Sequence, residues 1–427
     1  MSKTIRRRTF LQLAGAAAAF GAAMSALPSF AADRRLRVFW WGGQDRQKRT
    51  LAAMAAYAAK NPGLTTDGES VAFADFITRL STQVAGGNPP DLFQMDYRYI
   101  TEYARNGVLE PLDGYIGTLI NFGDWDKASI DSCRVDGKLY AINLGNNTDS
   151  LFFDTEAYGK AGIKDIPLNT SWKDYFAMAA EVTKANGGKY YGSTDSSGRA
   201  KAFENWLRQM GKDMYGDKAL GHTADDLAAW FQLWADARTA NAVPPADVTA
   251  LDKDGPDSNM IALGYAATTF SHTNNLVAYQ GATKKQLGIT LYPQGAGPNP
   301  GNYLKPSQMW SISSKSANKE DAIKLANYTV NDPEGVKAFG VERGVPASAS
   351  MRTAVEEVIS PVDKLQLEFI GKVGNSVGEL PPPPPSGAAQ IEDMLLNISQ
   401  QVAFGAMSAQ DAAKQYFDSA TAIVAKG

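Results

Sequence analysis

GGNPPDLFQMDYRYI, residues 86–100, contains the turn, the strand and the helix start from which the fold prediction is built. Its two glycines end an amphipathic helix predicted over 75–85, and Asn-Pro-Pro then leads into an apolar strand over Asp91–Asp96. A second helix is predicted over Tyr99–Asn106, where a further glycine ends it. The stretch therefore predicts a short strand between two helices.

The same alternation extends in both directions along the chain. Upstream, a strand over 36–41 ends at a glycine turn and precedes a helix. Downstream, Ser171 is predicted to cap a helix over 174–186, and Thr223 to cap another over 223–240, because both side chains can accept from free amide groups. Strands and helices joined by short links predict the α/β class, in which strand ends deliver residues to one edge of a sheet.

Two proline-rich segments mark predicted domain junctions. A strand predicted over 283–292 is followed by a glycine and proline cluster over 295–301, which is interpreted as a domain crossing. Pro381–Pro385 is a run of five prolines, which is stiff and extended. Because helices are predicted on the C-terminal side of the run, it is interpreted as a fixed strap or hinge between domains.

Length and composition exclude several classes of protein. A chain of 427 residues suits two or three domains. The single cysteine, Cys133, rules out an intrachain disulfide, and two histidines, His222 and His272, rule out a histidine-rich zinc site. With 42 basic and 45 acidic residues there is no basic excess for binding nucleic acid. No metal and no cofactor is expected.

The N-terminus has the features of an export signal. Arg6, Arg7 and Arg8 precede an uncharged, alanine-rich stretch over 11–27, and small residues surround Ala31 at the spacing a signal peptidase needs. The arginine pattern predicts a twin-arginine-type signal peptide over residues 1–31, cleaved near Ala31, with the general export route as the alternative. The mature protein is expected in the periplasm.

Seven segments, in their order and spacing, resemble a known protein family. They are Trp40–Gly43, Gly86–Asp96, Tyr103–Asp113, Asp136–Ile142, Lys305–Gln308, Asn318–Ala322 and Glu342–Pro346. The chain resembles a family 1 extracellular solute-binding protein of a carbohydrate-type ABC importer, over residues 36–427. The resemblance implies a type II, maltose-binding-protein-like periplasmic-binding-protein fold, with two lobes and a hinged interdomain cleft that holds a sugar.

The resemblance also implies the domain organisation and the partners. Lobe 1 is predicted over 33–144 plus about 302–344, and lobe 2 over 145–301 plus about 345–427. The expected partners are a small-molecule carbohydrate and the inner-membrane permease subunits, which the protein contacts transiently as a monomer. Capture without chemical conversion is expected, so the chain is not predicted to be an enzyme.

Candidate binding residues follow from the chemistry of sugars. Planar amides, carboxylates and guanidinium groups bind hydroxyl groups, and aromatic rings pack on the flatter C–H face. Side chains of these types at strand ends and turns are therefore expected to line the cleft. The candidates are Trp40, Trp41, Gln44, Asp45, Gln94, Asp96, Asn146, Asn147, Trp206, Phe270, His272, Asn274, Asn275, Trp310 and Arg343.

Most of these candidates also have a structural interpretation. Neighbouring strand residues face opposite sides, so one of Trp40 and Trp41 is expected in the core. The structural roles to weigh for the rest are a core position for Trp206 and Trp310, a structural hydrogen bond for His272, an interdomain salt bridge for Arg343, a turn for Asn146 and Asn147, and helix capping for Asp96, Asn274 and Asn275. If Arg343 lines the cleft, it favours acidic sugars.

Rival functions remain open at this point. A periplasmic glycoside hydrolase needs two carboxylates across the scissile bond, and the 45 acidic residues do not exclude such a pair. The same fold could bind ferric iron, because Tyr190 and Tyr191 offer adjacent phenolic oxygens. A polyamine would need several acidic residues near aromatic rings, and the sequence contains no such cluster.

Overall fold

The computed structural model describes residues 34–253, 255–374, 376–382, 384–385 and 387–425. The predicted signal peptide with its cleavage point near Ala31 lies outside the described residues, as does Pro383 of the proline run. Within these ranges, no helix combines the length and the apolar character that crossing a bilayer requires.

Strands and helices are numbered here in chain order. The strands are β1 (Arg34–Trp41), β2 (Leu64–Val71), β3 (Leu92–Met95), β4 (Arg134–Val135), β5 (Lys138–Leu139), β6 (Ile142–Asn143), β7 (Asn146–Asn147), β8 (Asp149–Asp154), β9 (Tyr215–Gly216), β10 (Ala219–Leu220), β11 (Thr268–His272), β12 (Leu287–Thr290), β13 (Lys305–Pro306) and β14 (Met309–Ile312). The helices are α1 (Gln44–Lys60), α2 (Phe73–Ala85), α3 (Tyr97–Arg105), α4 (Lys127–Asp131), α5 (Thr155–Lys160), α6 (Trp172–Ala185), α7 (Ala200–Gln209), α8 (Ala224–Thr239), α9 (Ala246–Thr249), α10 (Met260–Leu263), α11 (Leu276–Gly281), α12 (Lys319–Asn331), α13 (Pro333–Phe339), α14 (Ala349–Val355), α15 (Pro361–Val373), α16 (Ala388–Ala403) and α17 (Ala409–Val424).

The body called lobe 1 is built on the larger sheet of the described chain, whose strand order is β2–β1–β3–β14–β6. β1 runs parallel to β2 and β3, whereas β14 runs antiparallel to β3 and β6. Residues 38–41 of β1 are all buried, as expected for a parallel strand with both faces covered. The core of lobe 1 combines residues 36–144 with residues 309–347.

The body called lobe 2 is built on a smaller antiparallel sheet with the strand order β11–β8–β12 among the described residues. Its core holds a group of aromatic rings centred on Trp230, which lies 5.5 Å from Trp172 and 5.4 Å from Trp234 between ring centroids. The Trp230 indole donates to the Ser197 carbonyl at 2.8 Å, so its polar atom is satisfied inside the core. The helices α16 and α17 complete this core.

Segments that connect the lobes run side by side. Asn147 pairs with Lys305 in the β7–β13 ladder, and Asn146 pairs with Val345 through two backbone hydrogen bonds of 2.7 and 3.1 Å. Gly145 packs so closely that an added Cβ would lie 2.6 Å from the Arg343 carbonyl oxygen. Three segments of the described chain therefore pass between the lobes side by side. The absence of a side chain at residue 145 permits its close contact with the Arg343 carbonyl.

Helix capping agrees with the sequence prediction, whereas some strands do not. The Ser171 side chain accepts from the Asp174 amide at 3.0 Å, and Thr223 forms a capping box with Asp226. The strand predicted over 283–292 is confined to Leu287–Thr290. β2 has no counterpart in the prediction, because its polar sequence lacks the alternation of a strand, and pairing with all eight residues of β1 holds it in place.

Candidate functional site

A continuous cleft separates the two lobes, because neighbouring cavities share lining residues. The central cavity, about 40 Å³, is lined by Tyr97 of lobe 1 and by residues of lobe 2 and the crossing segments. Tyr303 and Lys305 also line an adjoining cavity of about 180 Å³, and Lys201 and Glu392 line another of about 250 Å³. The cavities are parts of one cleft with walls from both lobes.

A charge pair forms part of the lobe 2 wall, with a largely buried Glu204 and a Lys201 side chain that is 41% exposed. The Lys201 ammonium lies 2.7 Å from the Glu204 carboxylate, one helical turn away on α7, and 3.2 Å from the Tyr303 hydroxyl. The Tyr303 hydroxyl donates to the same carboxylate at 3.1 Å. Burial opposes the charge on Lys201, but Glu204 outweighs it and raises the pKa of Lys201 well above its ordinary value. Lys201 therefore keeps its positive charge.

A second polar pair lies where β8 and β11 face each other. Asp149 is the cross-strand partner of His272, and the imidazole Nδ1–H donates to its carboxylate at 2.7 Å. Burial would raise the pKa of Asp149, but His272 holds the pKa below its ordinary value. The Asp149 side chain is buried, whereas His272 keeps 39% of its side-chain surface exposed to the cleft solvent. His272 can therefore contact a ligand while Asp149 orients it.

Two further charged side chains of the central cavity have no hydrogen-bond or ion-pair partner among the described residues. In the described part of the chain, no residue forms a hydrogen bond or ion pair with the Lys305 ammonium or with the Glu392 carboxylate. Burial, together with the nearby cation Lys201, lowers the pKa of Lys305. Burial raises the pKa of Glu392. Both groups keep unused hydrogen-bonding capacity in the cavity.

Aromatic and charged groups also lie near the ends of the parallel strands of lobe 1, outside the residues that line the cleft cavities. The candidate Trp41 is 7% exposed and belongs to the lobe 1 core, where it meets Phe73 at 5.4 Å between ring centroids, and Phe73 keeps 44% of its surface exposed. The Arg98 guanidinium lies 5.0 Å from the Phe73 ring centroid and 2.9 Å from the Asp96 carboxylate. An exposed ring beside a held guanidinium suits contact with a C–H face and hydroxyl groups.

The proline run joins lobe 1 to lobe 2 across the cleft. The Tyr97 hydroxyl of lobe 1 donates to the Pro381 carbonyl at 2.9 Å. The segment before the run is tied to the crossing region, because the Gly378 amide donates to the Asn302 carbonyl at 2.8 Å and Arg208 donates to the Glu379 carbonyl. The described prolines Pro381, Pro382 and Pro384 thus cover one side of the central cavity.

The structure brings several of the predicted residues together in the cleft. Asn147, His272 and Asn274 line one cavity, and Phe270, His272 and Asn275 line the adjoining one. Asp96 caps a helix, as its structural interpretation predicted, and accepts from the Arg98 amide at 2.9 Å at the start of α3.

Other predicted residues lie in the core of lobe 1. Trp40 and Trp310 are at most 1% exposed, because the strands that carry them are covered on both faces. Gln94 is fully buried and donates to the Gln308 side chain at 2.6 Å. The alternation along β1 directs Trp40 toward Gly68 of the edge strand, where an added Cβ would lie 2.7 Å from the indole. None of these three side chains reaches the cleft.

The remaining predicted residues also have structural positions. Trp206 is in the lobe 2 core, 5.7 Å from Trp230 between ring centroids, and its exposed edge borders a groove separate from the cleft. Asn146 is buried in the crossing and donates to Ser129 at 2.6 Å. Gln44 and Asp45 lie in the exposed first turn of α1, where Asp45 pairs with Arg49.

Arg343 is buried at the crossing and does not line the cleft. It is 1% exposed, it donates to the Thr50 hydroxyl at 2.7 Å, and it stacks 4.3 Å from the Phe339 ring centroid. Burial lowers the pKa of Arg343 to about 9. The preference for acidic sugars that depended on Arg343 therefore loses its basis.

The tyrosines considered for iron lie away from the cleft cavities. The Tyr190 hydroxyl donates to Asp154 at 3.0 Å, and the Lys285 ammonium lies 3.5 Å above its ring. The Tyr191 backbone pairs with Tyr265 and Ala267. The described residues contain no group of three or more histidine, cysteine, aspartate or glutamate side chains arranged to hold a metal.

Sequence reasoning missed the charged centre of the cleft. Lys201, Glu204, Tyr303, Lys305 and Glu392 all line the central cavity, and none was a candidate. Lys201 and Glu204 are three apart on a helix, which is a common spacing for solvent-exposed pairs. Lys305 adjoins Pro306 at a domain crossing, and that position was the available signal for a residue facing both lobes.

Comparison with known proteins gives a family and a fold. The profile described as "Bacterial extracellular solute-binding protein" matches residues 52–361. Among solved structures, the chain is similar to an extracellular solute-binding protein family 1 from Alicyclobacillus acidocaldarius, with 30% sequence identity and a TM-score of 0.85. That match covers 92% of this chain and 99% of the other.

Curated relatives match over shorter stretches. A putative binding protein of Brucella abortus is 31% identical over 137 residues, which is 32% of each chain. The lactose-binding protein of Rhizobium radiobacter is 26% identical over 139 residues, again 32% of each chain. A diacetylchitobiose binding protein of Streptomyces coelicolor is 25% identical over 287 residues, which is 62% of each chain. The chain therefore spans about a third of the length of the first two relatives and under two thirds of the third.

Proposed function

Because the chain belongs to the bacterial extracellular solute-binding proteins, we propose that it captures a sugar or oligosaccharide in the cleft between its lobes. In this proposal it delivers the ligand to the inner-membrane permease of an ABC importer. The observation that carries the proposal is the cleft itself, in which Asn147, His272 and Asn274 converge beside Tyr303 and Lys305. Amide, imidazole and charged groups around one cavity match the hydroxyl groups of a sugar.

Binding without chemical conversion is the proposed mode of action. The similar proteins named above are binding proteins, and two of their names specify a saccharide. Two carboxylates of the cleft already have partners, since Glu204 pairs with Lys201 and Asp149 accepts from His272. Absence of any product after prolonged incubation with oligosaccharides would distinguish a binder from a hydrolase.

In the proposed cycle the two lobes close on the ligand. The ligand binds one lobe in the open form, and contacts made to both lobes stabilise the closed form. The Tyr97–Pro381 hydrogen bond is a contact within the protein that also stabilises the closed form, because it joins α3 of lobe 1 to the proline run. The closed form then docks on the permease. The ATPase of the importer, and not this chain, supplies the energy for transport. A dissociation constant near micromolar corresponds to a binding free energy of about 8 kcal/mol.

The proposed location is the periplasm. The family description as extracellular supports export, and the predicted signal peptide over residues 1–31 provides the route. Twin-arginine export in place of the general route is part of this proposal, and replacing both Arg7 and Arg8 with lysine should then retain the protein in the cytoplasm.

A thermal-unfolding screen tests the proposed ligand class. The purified protein is heated with mono- and oligosaccharides, polyamines and ferric ion, and a ligand at a hundred times its Kd adds about 2.7 kcal/mol to the folded state. A sugar that raises the unfolding midpoint by a few degrees is the expected result. A shift with iron or a polyamine and none with sugars would contradict the carbohydrate assignment.

A matched pair of variants then locates the site. Asn274 is exposed in the cleft, and Asn169 is exposed in a turn that lines none of the cleft cavities. The Asn274→Ala variant should reduce the midpoint shift caused by the sugar, and the Asn169→Ala variant should leave it unchanged. Equal shifts in both variants would show that the sugar binds outside the cleft.

A further inference from the structure

The central cavity of the cleft holds two charged side chains of opposite sign that have no partner in the described part of the chain. Lys305 comes from β13 at the crossing of the lobes, and Glu392 comes from α16 on lobe 2. Within the described ranges, neither side chain forms a hydrogen bond or an ion pair, and the two do not pair with each other. Both side chains are partly buried, and their charged atoms remain accessible from the cavity. Such groups are stabilised by a ligand that supplies the missing partners.

The charged groups that line this cavity balance each other. Lys201 and Glu204 form a pair at 2.7 Å, and Lys305 and Glu392 add one positive and one negative charge. In the adjoining cavity, Asp149 is engaged by His272. A ligand with a net charge would add an uncompensated charge to a site partly shielded from water, and such charges are costly.

We propose that Lys305 and Glu392 together select an uncharged polyhydroxyl ligand. Lys305 donates to one oxygen of the ligand, and Glu392 accepts from a hydroxyl group of the same ligand. This inference rests on the proposed sugar-binding function and narrows its ligand class.

Hydroxyl groups meet both requirements because each can donate and accept. A carboxylate on the ligand would satisfy Lys305, but it would add a negative charge to a cavity that already contains Glu392 and Glu204. An ammonium on the ligand would satisfy Glu392, but it would add a positive charge beside Lys201 and Lys305. Neutral sugars avoid both penalties.

Two matched pairs of disaccharides test the proposal by isothermal titration calorimetry. Galactobiose and digalacturonate differ in carboxylate charge, and diacetylchitobiose and chitobiose differ in ammonium charge. Where a pair binds, the neutral member should bind at least about tenfold more tightly than the charged member, since like charges brought together in such a site cost more than 1.4 kcal/mol. The ligand that gives the largest midpoint shift in the thermal screen should likewise be uncharged, and a charged one would contradict the proposal.

Two variants change the net charge of the central cavity in opposite directions. In the Glu392→Gln variant the cavity gains a net positive charge, so the affinity for digalacturonate relative to galactobiose should rise by about tenfold. In the Lys305→Met variant the affinity for chitobiose relative to diacetylchitobiose should rise similarly. Neither substitution breaks a described side-chain contact, so both variants should fold. Glu368→Gln and Lys189→Met, at exposed positions outside the cleft cavities, are the controls.

The outcomes separate this inference from the function on which it rests. Equal or tighter binding of the charged sugars, or variants that change both members of a pair alike, would overturn the selection by charge and leave sugar binding intact. If no sugar raises the unfolding midpoint in the thermal screen and none of the four disaccharides binds in calorimetry, the proposed function is overturned, and this inference with it.

Discussion

Replacing His222 with asparagine should remove a pH dependence from the stability of lobe 2. His222 is 5% exposed, and its Nδ1–H donates to the Met214 carbonyl at 3.2 Å. Its ring meets Phe203 edge to face at 5.1 Å, and its Nε2 has no partner among the described residues. Burial lowers the pKa of His222 from 6.5 to about 4, because a charged imidazolium would lose its hydration there. Asparagine can keep the hydrogen bond without titrating.

The size of the effect follows from proton linkage. Above the unfolded-state pKa of 6.5, both states are neutral at this position and the stability is complete. As the pH falls below that value, the unfolded chain binds a proton that the folded chain does not, and stability is lost until the folded pKa is reached. The loss is about 2 kcal/mol at about pH 5 and approaches about 3.4 kcal/mol below about pH 4.

Urea unfolding of both proteins at about pH 7.5 and about pH 5 measures the effect. Carboxylates also titrate near the lower pH, but they do so in both proteins and cancel in the comparison. The free energy of unfolding of the native protein, minus that of the His222→Asn variant, should fall by about 2 kcal/mol between the two conditions. A difference that stays constant with pH would refute the assignment of His222 as a buried neutral histidine.

Three other perturbations have defined outcomes. The Trp230→Ala variant should lose about 3–5 kcal/mol of unfolding free energy in urea, because it empties the centre of the lobe 2 core; a loss below about 1 kcal/mol would contradict that position. The Gly145→Ala variant should lose about 1–3 kcal/mol, because its Cβ would meet the Arg343 carbonyl at 2.6 Å; an unchanged thermal midpoint would contradict the close crossing. The Tyr97→Phe variant should weaken sugar binding several-fold in calorimetry, because it loses the hydrogen bond to Pro381 worth about 1 kcal/mol; unchanged affinity would show that this contact is not part of the closed form.

Local signals in the sequence predicted much of the secondary structure. The caps at Ser171 and Thr223 were readable because a side chain and an amide three residues away suffice to form them. The strand β2 was not readable, since its own residues are mostly polar and its order comes from pairing with the apolar strand β1. Pairing with a partner strand overrides weak local preference.

The residues of the candidate site were harder to predict than the fold. The alternation along β1 predicts one of Trp40 and Trp41 in the core and the other at the cleft, but both are buried in the lobe 1 core, because both faces of the sheet are covered. Arg343 is charged, yet a buried hydroxyl and an aromatic ring accommodate it. Lys305 and Glu392 come together only in the folded chain, and no pattern in the sequence connects them.

The strand order of lobe 1 has a consequence for the timing of folding during synthesis. β14 lies between β3 and β6, so β6 has no neighbour in the sheet until the ribosome has made residues 309–312. Lobe 2 needs α17, which packs against α8 and buries Tyr416 and Val424. A nascent chain halted before these elements keeps apolar surface exposed in both halves, where chaperones and proteases can act on it. Lobe 1 can therefore complete its core once residues 309–347 have been made, whereas lobe 2 must wait for α17, and incomplete chains are distinguishable from finished ones by their exposed cores.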